Sequence, residues 1–292
     1  MQLTWKRLIR FEAADGRILY GEPVLPSPDF DIGNLKESDQ LQAKVLEGPS
    51  IYDAKFSGET VAVKKLLGPL AARDVPSIRC VGLNYAKHIK EAGRSPPPFP
   101  FIFFKPSTTI QDHNGVVEIP KIAQDDQADY EGELVIVIGR DAKNVSEADA
   151  LDYVAGYTCG NDISARKLQR SPELAGRIPQ WGFSKGFDTF APVGPCLVST
   201  ELIEDPDKLD LKTIVDGEIR QHESTADLLF GCRYLIHYLS QGTTLERGSI
   251  IMTGTPGGVG AGMNPPKYLV PGTQMDVQIE KIGTLKNTVK FA

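Results

Sequence analysis

The chain has 292 residues, long enough to bury a sizeable core as one large domain or as a small domain joined to a large one. Its 28 glycines and 21 prolines favour short strands and turns over a helical bundle, and a formal charge of -6 with a pI near 5.4 argues against nucleic-acid and anionic-membrane partners. The 4 cysteines form no CxxC pair and read as buried small hydrophobes, no stretch reaches the roughly 20 apolar residues of a membrane span, and no signal peptide is seen, so a cytoplasmic protein is expected.

Residues 1–72 read as a small strand-rich lead domain: LIRFEA and RILYGEPVL about a turn at Asp15-Gly16, then AKVLEG and a polar alternation near 60–65. This part holds no histidine and no clustered catalytic set, so a structural or dimer-supporting role is expected, with 73–292 as the main domain. Residues 77–83 read as a strand and 84–92 as a short helix capped by Asn84, followed by Gly93 and prolines. His88 and Glu91 share a face of that helix, which fits a base with its orienting acid on a movable lid and equally an ordinary surface contact.

FIFFKPSTT, 101–109, reads as a buried strand with Lys105 at its end. In DYEGELVIV, Asp129 to Val137, Glu131 and Glu133 stand two apart at the head of a β-branched run, and a period of two turns both to one side. Like charges held together need a cation, a proton or a base, or else they face solvent. Residues 146–157 read as a helix capped by Ser146, with Asp149 in the box position. It delivers the chain to Asp162, which opens a further helix. Three carboxylates from neighbouring elements make a hard oxygen site suited to Mg²⁺, Mn²⁺ or Ca²⁺. Asp162, Arg166 and Gln169, at i, i+4 and i+7, line one face that suits an anionic oxygenated substrate or a surface salt-bridged helix.

Lys185 lies in GFSKGFDTFAPVG among three phenylalanines, either snorkelling at the surface or partly desolvated beside the acids. A core strand is expected over 192–200, a hairpin over 209–221 turning at Asp216-Gly217, and an amphipathic helix over 224–238. His113, His222 and His237 lack a spaced second nitrogen ligand, so no zinc site is expected. Gly258, Gly260 and Gly262 echo a nucleotide fingerprint, but no GK[ST] comes after them and Pro265-Pro266 blocks a helix. The loop SIIMTGTPGGVGAG is expected instead to expose backbone N–H groups, with the Thr255 hydroxyl, to a carboxylate or enolate oxygen. Strands over 273–281 and 284–290 close the chain.

CVGLNYAKHIKE, DYEGELVIVIG, AGYTCGNDISAR, WGFSKGFDTFAPVGP, DGEIRQ and IIMTGTPGGVG, in unbroken order over roughly residues 76–290, together resemble the catalytic domain of the fumarylacetoacetate hydrolase family. The resemblance implies an α+β, mostly β fold: a mixed β-sandwich or β-roll with short helices, behind a small strand-rich N-terminal domain, usually as a homodimer. It implies Mg²⁺ or Mn²⁺ on Glu131, Glu133 and Asp162, a His88–Glu91 dyad on the lid helix and Lys185 as the active-site lysine. Arg166, Gln169, Thr255, Gly254 and Tyr85 would lie near the substrate, a small anionic 2-oxo or 1,3-dicarbonyl acid. The eponymous enzyme carries a further acidic ligand shortly before its histidine; Cys80–Leu83 contains none, so water or substrate would fill that place and fumarylacetoacetate itself is disfavoured. The activity expected is hydrolytic C–C cleavage of an acylpyruvate through a metal-stabilised enolate. Oxaloacetate decarboxylation, oxaloacetate keto–enol exchange and isomerisation of unsaturated 2-hydroxy acids share that intermediate, and a non-catalytic metal-binding structural protein is the alternative of another class.

Overall fold

The computed structural model describes residues 3–91 and 95–292, without the side chains of Glu37, His88 and Glu91. Its organising element is the strand Gly132–Ile138, GELVIVI, in which every residue is buried. A continuous β-branched run is buried on both faces only when a sheet extends on both sides of it. This strand pairs antiparallel with Val154–Asn161 on one side and with Ile250–Met252 on the other. Alternation sorts its side chains: Leu134, Ile136 and Ile138 enter one apolar cluster, while Val135 and Val137 enter another.

The sheet has 11 strands. From the centre it runs through Ile78–Gly82 to Phe101–Lys105 at one edge. The other way it passes Ala191–Ser199 to the early strands Arg7–Ala13, Lys55–Leu66, Gln42–Glu47 and Ile18–Val24. Arg7 faces Val198 across the first junction, so one sheet continues across residue 72. A second sheet of 5 strands comprises Glu218–Ser224, Asp210–Val215, Gln274–Ile279, Gly283–Phe291 and Val116–Ile119. Its Leu211, Val277, Ile279 and Leu285 join Leu134, Ile136, Tyr157 and Cys159 of the first sheet in one core, which makes a strand-rich α+β fold of two large sheets, a two-stranded one (Ala128–Asp129 with Ser164–Ala165) and short helices. The cysteines are free and buried, and among the described residues no helix is long and apolar enough to cross a membrane.

Several expected helices are shorter than their local signals imply. Ser146 and Asp149 do make reciprocal contacts, Oγ to Oδ2 at 2.6 Å and N–H to Oγ at 3.2 Å. Only a 3-10 turn, Ala150–Tyr153, forms before Val154–Asn161 is taken into the sheet. A cap fixes where a turn starts; pairing on both edges of the next segment decides that it is a strand. The helix after Asp162 begins at Arg166 (Arg166–Arg170), so Asp162 lies in the connection before it. Within 224–238, Ser224 caps the 3-10 turn Thr225–Asp227 and the α-helix is confined to Cys232–Leu239. Asn84 is not a helix cap either. Its amide donates to the carbonyls of Phe230 at 3.1 Å and Thr253 at 2.7 Å and accepts from Phe230 N–H at 2.9 Å, tying the root of the short helix Ala86–Glu91 to two other segments.

Candidate metal and 2-oxo acid site

Glu131 precedes the central strand, Glu133 is within it, and Asp162 comes just after the neighbouring strand, with its N–H on the Glu131 carbonyl at 2.8 Å. The ladder itself therefore aligns the acids. One oxygen of each lies within 4.8 Å of the others, and all are buried. Lys185 Nζ donates to Glu131 Oε2 at 2.8 Å and to Asp162 Oδ2 at 2.7 Å. Lys105 Nζ donates to Asp162 Oδ1 at 2.5 Å and to the Phe190 carbonyl at 2.6 Å. Arg166 reaches Glu131 Oε1 through Nη1 at 2.5 Å and Asp129 Oδ2 through Nε at 2.8 Å. Lys105 and Asp129 escape a reading by motif; the one signal for Lys105 is an ammonium ending an apolar strand.

Four buried carboxylates, Asp129, Glu131, Glu133 and Asp162, thus face three buried cations, Lys105, Arg166 and Lys185. Glu133 is the member without an ion pair among the described residues; its Oε2 accepts the Gly254 N–H at 2.8 Å. Burial raises its carboxyl well above the usual range, and the charges of Asp162 and Glu131 push it further. Burial would raise Glu131 too, but Lys185 and Arg166 outweigh it and hold that group at about 2. Burial opposes the charge on Lys185, yet Asp162 and Glu131 raise its pKa. An excess of one negative charge, all-oxygen donors and carboxylate lone pairs beyond those engaged fit a hard divalent cation.

Beside this cluster lies a cavity of about 280 Å³, with Glu131, Arg166, Gln169 and Thr255 on its wall. Arg166 Nη2 and Gln169 Nε2 are buried and have no partner among the described residues. A buried donor left unpaired costs about 1–3 kcal/mol. Both residues line the cavity, and a guanidinium beside an amide suits a carboxylate.

The glycine-rich loop departs from expectation. Its amides serve the protein's own acids: Gly254 N–H holds Glu133, while Gly260 and Ala261 N–H hold Asp129 at 2.8 and 3.0 Å. At Gly254, φ is +101° and a β-carbon would lie 2.9 Å from Asn84 Cβ, so this contact requires glycine. Thr255 Oγ1 donates to the Gly132 carbonyl at 2.9 Å and accepts from Gln221 Nε2 at 2.7 Å. Among the described residues Tyr85 is buried, its hydroxyl has no partner, and it does not line the cavity. Lys185 is fully buried, and the rings about its ammonium are Phe103 at 5.0 Å and Trp181 at 5.4 Å, not its three sequence neighbours. His88 and Glu91 lie on Ala86–Glu91, and their side chains lie outside the described residues.

The family model described as "Fumarylacetoacetate (FAA) hydrolase C-terminal" matches residues 77–290. A caffeoylpyruvate hydrolase of Neonothopanus nambi is 42% identical over 98% of this chain and 94% of its own length. Oxaloacetate tautomerase YisK of Bacillus subtilis is 43% identical over 73% of this chain and 69% of its own. Among solved structures, 5-carboxymethyl-2-hydroxymuconate delta-isomerase from Mycobacterium smegmatis superposes with a TM-score of 0.79 at 35% identity, covering 98% of this chain and 100% of that one. With its family match spanning the whole catalytic region and its buried acids able to coordinate a divalent metal, the chain belongs to the fumarylacetoacetate hydrolase family of enzymes.

Proposed function

We propose that this enzyme binds a small 2-oxo acid beside a divalent cation held by Glu131, Glu133 and Asp162, and interconverts its keto and enol forms. The observation that carries the reading is an acid cluster with one carboxylate, Glu133, outside any ion pair among the described residues, adjoining a cavity lined by Arg166 and Gln169, whose Nη2 and Nε2 have no partner among those residues. Arg166 and Gln169 take the substrate carboxylate and so orient the adjacent ketone. Mg²⁺ or Mn²⁺ bound at the acids supplies Lewis acidity toward the ketone oxygen. Lys185 has three N–H donors and gives two of them to Glu131 and Asp162. In the exchange the C–H bond at the third carbon breaks, solvent water takes its proton, and a proton from solvent forms the O–H on the former ketone oxygen, whose developing negative charge the remaining Lys185 donor offsets. Burial of Lys185 excludes water and strengthens that interaction.

Hydrolytic C–C cleavage of an acylpyruvate is the second reading, favoured by the full-length likeness to the caffeoylpyruvate hydrolase. It needs, in addition, a group that takes a proton from water, the part assigned to His88 with Glu91. Keto–enol exchange needs no attacking water, and the likeness to oxaloacetate tautomerase YisK favours it. The deciding experiment monitors the enol absorbance of oxaloacetate and of phenylpyruvate, and the cleavage of acetylpyruvate, with excess Mg²⁺, in wild type, E133A and H88A. Exchange should be lost in folded E133A and persist in H88A. Exchange no faster than in buffer, together with acetylpyruvate cleavage that H88A abolishes, would replace the first reading by the second.

A further inference from the structure

Resting on the 2-oxo acid reading, we propose that the substrate arm beyond the third carbon is a flat apolar group seated on Trp181, which makes Trp181 a specificity-determining residue. Besides its polar residues, the cavity is walled by Val81, Leu83, Ile89, Pro179, Trp181 and Val259. Among the described residues, a second carboxylate placed there would leave water with no buried cation to receive it. The remaining charge on the wall, Arg170, is exposed.

The shape of the wall points the same way. The indole of Trp181 lies against the backbone of Gly82, where an added β-carbon would stand 2.7 Å from Cζ3 and 3.1 Å from Cη2. Gly82 does not adopt a positive φ, so the ring's close approach, and not a turn, calls for glycine there. Phe101 and Phe103 brace the indole, with ring centroids 4.8 and 5.5 Å away. The Lys185 ammonium lies 5.4 Å from the same ring. Trp181 thus touches both the buried ammonium that holds the acid cluster and the cavity, and a flat substituent on a 2-oxo acid held by Arg166 stacks upon it.

The test is calorimetric binding of pyruvate, phenylpyruvate and oxaloacetate to the full chain in excess Mg²⁺, for wild type, W181A and G82A. The G82A variant keeps the indole but pushes it from its seat, so it carries the test if W181A fails to fold. In wild type, phenylpyruvate should bind at least about ten-fold tighter than pyruvate, and tighter than oxaloacetate. That phenyl advantage should shrink to about three-fold or less in W181A and decline in G82A. Oxaloacetate binding tightest to wild type, or a phenyl advantage untouched by both substitutions, overturns the proposal. Pyruvate that binds with no gain from the ring overturns the apolar arm alone; no binding of any of the three acids overturns the 2-oxo acid reading along with it.

Discussion

Asp129 Oδ2 accepts from Arg166 Nε at 2.8 Å, and this buried pair links the glycine-rich loop to the acid cluster. Asp129 also receives the N–H groups of Gly260 and Ala261, and Arg166 goes on to Glu131. Exchanging Asp129→Asn keeps the shape but puts an amide donor or a neutral oxygen before those donors. Breaking a buried ion pair on one side costs about 3–5 kcal/mol. The expected result is a stability loss at the low end of that range, since Glu131 still holds Arg166, read as a fall in the urea midpoint at unchanged m-value. Affinity for a 2-oxo acid should fall more than affinity for Mg²⁺. An unchanged midpoint would mean that loop and cluster are not linked through this pair.

Glu133 is the acid that lacks an ion pair among the described residues, and removing its charge should separate metal binding from folding. Glu133→Gln retains an oxygen for the Gly254 N–H and relieves the repulsion from Asp162 and Glu131. Without metal, the variant should melt at or slightly above the wild-type temperature. A ligand at a hundred times its Kd stabilises by about 2.7 kcal/mol, so excess Mg²⁺ should raise the wild-type melting temperature measurably and leave the variant unmoved. An equal rise in both would place the cation elsewhere.

Asn84 offers a third test, because its amide makes three backbone contacts, with Phe230 twice and Thr253 once. Asn84→Ala leaves those carbonyls and that N–H buried or half-buried without a partner. A loss of about 2–3 kcal/mol is expected by denaturant titration, with hydrogen exchange quickening in 84–91 ahead of the central strand. Uniformly faster exchange would show that Asn84 supports the whole core and not the root of its helix.

Much of the site is legible in local sequence pattern. Glu131, Glu133 and Asp162 announce themselves by a period of two and by an acid placed after an apolar run, and the ladder brings them together. The Asp216-Gly217 turn is equally local, with φ of +50° and +80° at the two residues. Lys105 and Asp129 are not legible in this way, since their partners Asp162 and Arg166 lie 57 and 37 residues away. Phe103, from the strand Phe101–Lys105, reaches Lys185 for the same long-range reason, whereas Trp181 stands one helical turn before it, at the start of Trp181–Ser184, and displaces the expected Phe183, Phe187 and Phe190 through local geometry. The stretch 154–157 shows the limit from the other side, where strand pairing overrides a correctly read cap.

His113 supplies a pH dependence whose sign can be worked out. It is 1% exposed and its Nδ1 accepts the Lys286 N–H at 3.2 Å. Burial, aided by the Lys286 charge and opposed by Asp31, lowers its pKa from 6.5 to about 4. Between those values the unfolded chain binds a proton that the folded chain does not, so stability is full above 6.5, falls as the pH drops toward 4, and is unaffected by this group below that. At 1.36 kcal/mol per unit, the loss approaches about 3 kcal/mol. His113→Asn keeps an acceptor near Nδ1 but cannot take up the proton. Chemical denaturation at a series of pH values from 7 to 4 should therefore give a shallower decline for the variant than for wild type, and parallel curves would mean that His113 takes up its proton as readily in the fold as in the unfolded chain.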